Sequence, residues 1–369
     1  IGMVVFWALF LNLWKPKKKW PAWVGYIIII GAWFAAIRYY ILNQVDLYGT
    51  MYYPLMNMFR TESYGFLFGV FLAIPVFIIL SLLYWTINKI WSKTPEENRT
   101  GRRAFFRTAA TIVPLATIGG SSYAAFAGQQ ELVVTHESFG YTNLPPGLKN
   151  YKIVQLSDIH IGPSIDLDDF DEILKLALLQ KPNRVVITGD LIDKLAWLPQ
   201  VCERLTTFAK QIPDGVDFIL GNHEYHHDVN KVLDALKRNT PMNILVNSNI
   251  QIMGGKQPVY IAGVAYDNDR KKDNREAMIN KALSGIPDYA FVILLAHHPE
   301  FFEESIERKI PLTLSGHTHG GQIVFMGMPL VPTGTPYTKG RYVEEQSVCY
   351  VNNGTGHWFP IRINCPREI

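Results

Sequence analysis

Seven Asp, Asn and His side chains follow five short apolar segments between residues 158 and 319, and this series constrains the fold more than any other feature. The segments, of which 184–188 and 291–295 are examples, have the length and the branched apolar residues of buried strands. In an α/β sheet, the loops at the carboxyl ends of the strands converge on one crevice, where ligands bind. The sequence therefore predicts an α/β domain in which these side chains meet: Asp158, His160, Asp190, Asn222, His297, His317 and His319.

The chemistry of these side chains is typical of a metal site. Asp158 and His160 are two residues apart, as are His317 and His319, so on an extended segment each pair points to one face of the chain. Asp190 has two carboxylate oxygens and can bridge two cations. Two cations about 3.5–4 Å apart can hold a bridging hydroxide and neutralise charge during an in-line displacement at phosphorus. Ligation by nitrogen and oxygen without thiolate favours Mn, Fe, Zn or Co, so we expect two divalent transition-metal ions.

The chain before these motifs has a different composition. All ten histidines lie at or after His136, whereas the residues before it are rich in Ile, Phe, Leu, Trp and Tyr. A stretch of about 20 apolar residues is long enough to span a bilayer as a helix. Such stretches lie at 20–42, 64–91 and 104–128, and residues 1–14 are expected to be the visible end of an earlier helix. We predict a transmembrane α-helical bundle of about four helices at 1–128, a linker at 129–150 and an α/β domain at 151–369.

Positive charges beside these stretches predict the orientation in the membrane. Basic residues concentrate at 15–19 and 89–107, whereas the loop 43–63 has Arg60 as its only basic residue. By the positive-inside rule, both basic segments are cytoplasmic and the α/β domain lies on the other side of the membrane. Two adjacent arginines in the second segment also resemble a twin-arginine export signal, although ordinary flanking charges explain them nearly as well. The net charge of +3 is too small to indicate nucleic acid as a partner.

The order of the motifs, DxH, GDxxD, GNHE, HxP and GHTHGGQ, resembles that of the calcineurin-like metallophosphoesterase superfamily. The wording LSDIH and SGHTHGGQ is similar to its membrane-associated bacterial branch, and the resemblance covers residues 151–369. It implies a four-layer α/β/β/α sandwich with metal ions at the sheet edge. It also implies one ion bound by Asp158, His160, Asp190 and His319, and a second ion bound by Asp190, Asn222, His297 and His317.

The same resemblance implies roles for residues beside the ligands. His223 matches a phosphate-contacting histidine that stabilises the transition state or protonates the leaving group. Asp193 and Glu224 match carboxylates that orient a ligand or tune a histidine. The segment 352–356 lies where this branch often has an arginine before a glycine, and this sequence has none there.

Five further residues are candidate substrate contacts. They are Tyr225, His226 and His227, which follow the GNHE motif, and Lys339 and Arg341, which lie in a loop rich in Gly, Pro and Thr. The first three can line the substrate mouth, and surface histidines are an equal alternative. For the other two, the alternative is that they are ordinary loop residues.

These features favour an enzyme of the membrane. We expect hydrolysis of a phosphate ester or phosphodiester of a lipid, lipid-linked or envelope substrate by attack of a metal-bridging hydroxide. The expected location is the bacterial inner membrane, multi-pass, with the catalytic domain on the extracytoplasmic side, and the expected partners are the bilayer and a phosphorylated lipid. One alternative is a cytoplasmic-facing pyrophosphohydrolase of a nucleotide-linked lipid such as UDP-diacylglucosamine, which the charge pattern opposes. The other is a non-catalytic membrane scaffold, which has no need for a complete ligand set.

Overall fold

The computed structural model of the chain contains two compact units, Ile1–Gln130 and Glu131–Ile369. The residues that the structure describes are 20–44, 48–90, 96–266, 271–330, 332–358 and 361–369. The first helix that the sequence predicts, at residues 1–14, lies outside them. The predicted membrane region, residues 1–128, lies within the first unit.

Three long helices form the described part of the first unit: α1 (Trp20–Gln44), α2 (Tyr53–Ile90) and α3 (Glu96–Gln130). Two segments, Tyr53–Ile90 and Thr100–Ala127, are long and apolar enough to cross a membrane. Large apolar side chains face outward on these helices, and Phe71, Leu82 and Leu115 are 66%, 59% and 60% exposed. Extended apolar surface of this kind is typical of a region that contacts lipid.

Glycines let α2 and α3 pack closely. A Cβ atom on Gly65 would lie 2.5 Å from the Cα atom of Ser122, and one on Gly69 would overlap the backbone of Ile118. Helices in a bilayer gain no hydrophobic driving force from each other, so small residues that permit close van der Waals contact stabilise their association. A larger side chain at either glycine would separate α2 from α3.

Two sheets form the framework of the second unit. One has four parallel strands in chain order: β2 (Ile153–Leu156), β3 (Arg184–Ile187), β4 (Val216–Phe218) and β5 (Asn243–Ile244). The other contains β6 (Ser248–Met253), β7 (Val259–Gly263), β8 (Phe291–Leu295), β9 (Leu312–Ser315), β12 (Gly340–Glu344) and β13 (Ser347–Val351). Its order is β12–β13–β9–β8–β7–β6, with the two edge strands antiparallel and the inner pairs parallel. A separate hairpin joins β10 (Val324–Phe325) to β11 (Met328–Pro329).

The two sheets share one apolar core. Buried side chains from the four-stranded sheet and from the loops after it are Val186, Ile219 and Leu245. From the six-stranded sheet the same core contains Ile261, Ile293 and Leu314. Full burial of a side chain of this size stabilises the fold by about 1.5–3 kcal/mol. This packing fixes one sheet against the other, and it therefore fixes the loops at their carboxyl ends.

Six helices accompany the sheets: α4 (Leu167–Leu179), α5 (Leu198–Ala209), α6 (Asn222–His227), α7 (Val229–Asn239), α8 (Lys272–Leu283) and α9 (Phe301–Glu307). Asp166 caps α4, because its carboxylate accepts the backbone N–H groups of the first turn. Ile279 of α8 and Phe301 of α9 pack against Val292 and Leu294 of β8. These contacts cover the second face of the six-stranded sheet.

Residues 131–150, which the sequence indicates as a linker, pack within the second unit. The strand β1 (Leu132–Val133) pairs in parallel with β14 (Arg367–Glu368) at the other end of the unit. A short 3₁₀ turn follows at Pro146–Leu148, and Leu148 is buried in the core between the sheets. The beginning and the end of the unit are thus held together.

Candidate metal centre

The seven predicted ligands meet at the carboxyl ends of strands from both sheets. Asp158 and His160 follow β2, Asp190 follows β3, and Asn222 begins α6 after β4. His297 follows β8, and His317 and His319 follow β9. Among the described residues, three groups have ligand atoms that all lie within 4.8 Å of one another. The first group is Asp158 with His160 and His319, the second is Asp190 with His297 and His317, and a further one is His160 with Asp193 and His223.

The backbone of the ligand loops differs from the extended conformation that the two-residue spacing predicts. Asp158 and His160 have φ angles of 52° and 53°, and His317 and His319 have φ angles of 71° and 51°. The prediction of an extended segment is wrong, because β2 and β9 end before these motifs begin. The left-handed region costs a non-glycine residue on the order of 1–3 kcal/mol, and it persists only where the surrounding structure holds it.

Two glycines leave room for the carboxylates of the centre. A Cβ atom on Gly221 would overlap Asp190 Oδ1, and one on Gly316 would overlap Asp158 Oδ2. Backbone N–H groups donate to the same carboxylates, from His223 to Asp190 at 2.8 Å and from His317 to Asp158 at 3.0 Å. Close backbone approach therefore fixes the direction of each carboxylate.

The first group gathers two rings and a carboxylate. His160 Nε2 lies 3.1 Å from His319 Nε2. The latter atom lies 3.4 Å from Asp158 Oδ1. These three side chains are at most 7% exposed, so the group is shielded from solvent.

The second group adds an amide oxygen. Asn222 Oδ1 lies 3.1 Å from His297 Nε2 and 2.9 Å from His317 Nδ1. These two ring nitrogens are 3.2 Å apart. Asp190 Oδ2 lies 3.3 Å from His297 Nε2 and 3.7 Å from His160 Nε2, so this one oxygen joins the two groups.

These spacings fit divalent metal ions. Ring nitrogens bind zinc at about 2.0–2.1 Å, so neighbouring ligands at right or tetrahedral angles lie about 2.9–3.4 Å apart. Two ring nitrogens that face each other at 3.1 Å can share at most one proton, whereas a cation satisfies both lone pairs and the nearby carboxylate. Imidazole, carboxylate and amide oxygen are a donor set that suits Mn, Fe, Zn or Co.

The carboxylates make the centre attractive to positive charge. Burial opposes the charged form of His160, but Asp193, Asp190 and Asp158 outweigh it and raise the pKa of His160 to about 9. Burial also opposes charge on His297, and Asp190 raises its pKa to about 10. A cation that replaces these protons gains the same attraction.

Asp193 connects three histidine rings beside the first group. Its Oδ1 atom lies 2.7 Å from His223 Nδ1, 3.2 Å from His160 Nδ1 and 3.5 Å from His227 Nε2. A carboxylate only accepts, so the Nδ1 atoms of His223 and His160 carry protons. This tautomer directs Nε2 of His160 to the first group and leaves Nε2 of His223 as the ring nitrogen that does not contact Asp193.

Glu224 is fully buried and holds the ligand loops. Its carboxylate accepts the backbone N–H groups of Gly221, Asp190 and Leu191 at 2.7, 3.0 and 2.8 Å. Burial raises the pKa of Glu224, and these backbone donors oppose that rise. Since the contacts join the loop after β3 to the loop after β4, Glu224 positions the ligands rather than touching a substrate.

Aromatic rings connect α6 to the second group. The ring of Tyr225 lies 6.1 Å from that of Tyr266, and Tyr266 lies 6.2 Å from both His297 and His317. Tyr266 belongs to no motif, and its position after β7 was the only signal for it. The ring of His226 lies 5.4 Å from His223. Three of the candidate substrate contacts, Tyr225, His226 and His227, therefore border the centre.

The two basic candidates have different surroundings. Lys339 follows Thr338, whose carbonyl oxygen accepts the hydroxyl group of Thr318 at 2.5 Å. Thr318 lies between His317 and His319, so this hydrogen bond attaches the residue before Lys339 to the loop that carries the two histidines. Arg341 instead lies over the ring of Phe139, at 5.3 Å, and donates to the carbonyl oxygen of Ser138.

One buried residue outside the motifs lies against His319. Arg362 is buried, its Nη2 atom lies 3.1 Å from His319 Nδ1, and it donates to the carbonyl oxygens of Asn353 and Gly356 at 2.8 Å. Burial lowers the pKa of Arg362 to about 10. A guanidinium therefore lies on the segment 352–356, where the sequence itself lacks an arginine. In the sequence, the sign of this residue is an arginine that follows a long segment without Asp, Glu, Lys or Arg, residues 349–361.

Known proteins are similar to this chain over much of its length. The family model of the calcineurin-like phosphoesterases matches residues 151–321. An uncharacterized metallophosphoesterase of Campylobacter jejuni is 30% identical over 350 residues, which cover 93% of this chain and 87% of that protein. The Danio rerio transmembrane protein with metallophosphoesterase domain is 28% identical over 82% of this chain and 70% of its own. Among solved structures, Haemophilus influenzae NAD nucleotidase has a TM-score of 0.37 and 15% identity, over 57% of this chain and 45% of that enzyme.

The matched residues extend from the start of β2 to the end of the turn that contains His319. They include every ligand of the two groups. The similarity to the Campylobacter protein continues beyond them over most of both chains, so it is not limited to the motifs. The chain belongs to the calcineurin-like phosphoesterase family.

Proposed function

We propose that this chain hydrolyses a phosphate ester or phosphodiester of a lipid or lipid-linked substrate and uses two divalent transition-metal ions. The family indicates a metal-dependent phosphoester hydrolase. The single observation that carries the dinuclear centre is the position of Asp190 Oδ2, 3.7 Å from His160 and 3.3 Å from His297. One carboxylate that joins two groups of ligands is what a pair of ions requires.

Each ion would have three ligands of its own and would share Asp190 with the other. One would be held by Asp158, His160, Asp190 and His319, and the other by Asp190, Asn222, His297 and His317. A pair of divalent ions about 3.5–4 Å apart lowers the pKa of water and neutralises charge on a phosphoryl group. The chain fixes the directions of the ligands through Glu224, Asp193 and Arg362, whose contacts hold the loops and two of the rings.

His223 is the residue that we assign to the phosphoryl group. The Nδ1–H group of His223 donates a hydrogen bond to Asp193 at 2.7 Å, so Nε2 lies on the side of the ring away from Asp193. The side chain is 15% exposed, which lets a substrate reach it. A protonated Nε2 can donate to a phosphoryl oxygen and can then transfer its proton to the leaving oxygen.

The membrane arrangement is part of the proposal. We place the chain in the bacterial inner membrane with about four spanning helices and with an extracytoplasmic catalytic unit of four layers, α/β/β/α. Two apolar helices of spanning length support membrane association. The basic segments at 15–19 and 89–107 support this orientation, since positive residues remain on the cytoplasmic side. A lipid substrate fits an enzyme that is anchored in the bilayer.

The test combines metal analysis with turnover. The purified full chain should contain two metal ions per chain and hydrolyse bis(p-nitrophenyl) phosphate. Asp190→Asn should lower both metal content and turnover most strongly, because Asp190 serves both ions. Asp171→Asn is the matched control, since its side chain is 52% exposed and pairs with Arg204 on the surface.

Two outcomes would contradict the proposal. Full turnover by metal-free protein would exclude metal-dependent hydrolysis. Bound metal without turnover of the soluble diester or of phosphorylated lipids in nanodiscs would favour a membrane scaffold. If the chain hydrolysed soluble diesters but not phosphorylated lipids, only the lipid substrate in the proposal would be wrong.

A further inference from the structure

The hairpin of β10 and β11 is fastened to the metal centre. It begins three residues after the 3₁₀ turn His319–Gly321. The N–H group of Leu330 donates to the carbonyl oxygen of Ile323 at 2.8 Å, and that of Val324 donates to Ile363 at 3.0 Å. A Cβ atom on Gly321 would overlap the ring of Pro329. The base of the hairpin is therefore set by the loop that carries His319.

The tip of this hairpin is apolar and exposed. Met326, Met328 and Leu330 are 84%, 64% and 62% exposed. Trp358, in the segment between Gly356 and Arg362, is 61% exposed. Among the described residues of the second unit, six large apolar side chains are at least 61% exposed, and four of the six are these residues. Exposed apolar side chains on a hairpin that is fastened to the candidate centre mark an interaction surface.

The charges around the tip indicate the partner. Residues 320–338 contain no Asp, Glu, Lys or Arg, and the next residues of this kind are Lys339 and Arg341. Lys339 adjoins the ligand loop through the bond between Thr338 and Thr318. An uncharged apolar tip with Lys339 next to the loop of His317 and His319 complements an anionic bilayer, because the tip can enter the acyl boundary while the cation meets phosphate. Trp is also favoured at that boundary.

The chain itself supplies this partner. The helical unit, Ile1–Gln130, and the second unit, Glu131–Ile369, are consecutive parts of one chain, so helices that span a bilayer would tether the second unit to it. Such a tether raises the effective concentration of lipid at the second unit far above that of a soluble protein. A second copy of the chain or another protein would have to compete with it.

We propose that the hairpin 324–330 and Trp358 enter the surface of an anionic bilayer and hold the mouth of the metal centre against the lipid head groups. This inference rests on the proposed function, in which the substrate is a lipid phosphate. It assigns the recognition of the lipid surface to the catalytic unit itself. Lys339 then lies at the depth of the lipid phosphates, next to the loop of His317 and His319.

The test is depth-dependent quenching in the full chain. Met326→Cys and Met328→Cys are labelled with a fluorophore in nanodiscs of phosphatidylethanolamine and phosphatidylglycerol, with or without brominated acyl chains. The native cysteines are buried and do not compete for the label. Leu179→Cys and Tyr289→Cys are matched controls, because these side chains are 62% and 65% exposed in the same unit. Brominated lipid should quench the two hairpin positions and leave both controls unchanged.

A second measurement uses turnover. Met326→Asp with Met328→Asp should lower the ratio of phosphorylated-lipid turnover to soluble-diester turnover, whereas Leu179→Asp should leave this ratio unchanged. Equal fluorescence with and without brominated lipid at positions 326 and 328 overturns the inference, and cross-links between copies would then assign the surface to self-association. Quenching in a protein that hydrolyses nothing would instead reject the proposed function and keep the membrane contact, so the two failures are distinct.

Discussion

Replacement of Arg362 with methionine removes a buried guanidinium and keeps a side chain of similar length. Its two shortest bonds, to the carbonyl oxygens of Asn353 and Gly356, are 2.8 Å long. A buried acceptor without its donor costs about 1–3 kcal/mol, so two of them cost about 2–6 kcal/mol. Release of a buried charge offsets part of this cost. We expect a loss of about 2–3 kcal/mol in the free energy of unfolding, or a Tm lower by about 4–12 °C.

Metal affinity is the more specific readout of this variant. Arg362 donates to the carbonyl oxygens of Asn353 and Gly356, and a Cβ atom on Gly354 between them would lie 2.8 Å from Nδ1 of His319, so the guanidinium supports the segment against which this ring packs. Loss of a group that orients a ligating histidine typically weakens metal affinity by about 10–100-fold. The assay is competition between the purified full chain and a chelator of known affinity, with thermal unfolding of the same samples.

A second buried arginine provides the control. Arg275 is 7% exposed and donates to Glu304 at 2.9 Å, between α8 and α9. Arg275→Met should lower Tm but leave metal affinity unchanged. If Arg362→Met also lowers Tm at unchanged metal affinity, Arg362 only supports the fold and the positioning argument is refuted. Arg362→Lys should lie between the wild type and Arg362→Met, because one ammonium group reaches fewer carbonyl oxygens.

Three further predictions concern other residues and the topology. His223→Ala should lower kcat by roughly 10²–10⁴ at unchanged metal content; loss of metal would make His223 a ligand. Glu224→Gln should lower the free energy of unfolding by about 1–3 kcal/mol, because the NH₂ group of the glutamine faces a backbone N–H group and cannot accept its hydrogen bond. Thermal stability equal to that of the wild type would contradict this. Protease added to intact spheroplasts should cleave the catalytic unit, and protection there would favour the cytoplasmic nucleotide-lipid enzyme.

The meeting of the seven side chains could be predicted because each of them follows a strand that the sequence marks locally. The apolar run before Asp190 becomes β3, and the run before His297 becomes β8. Parallel strands place their following loops at one edge, so the order of motifs along the chain was enough to bring these side chains together. The conformation of the loops was not predictable in the same way. Residue spacing carries no information about φ, and Asp158 and His317 reach the centre in the left-handed region.

Contacts between distant segments could not be predicted from local patterns. Arg362 meets His319 and Asn353 only after the strands have assembled, and no periodicity connects these positions. The segment 131–150 has the prolines and glycine of a linker, but its strand β1 is two residues long and its partner lies at the far end of the unit. A strand that short leaves no alternation of polar and apolar residues to detect.

The pairing of β1 with β14 has a consequence for the order of events in the cell. Contacts between residues far apart in sequence form late, because a long loop must close before they can form. The N–H group of Glu368 donates to Gly354 at 3.0 Å, and that of Thr355 donates to Ser157 at 2.7 Å, so the last strand supports the loop that carries Asp158. During synthesis the ligands emerge well before the strand that steadies them. The candidate centre is therefore completed only when β14 is available to pair with β1.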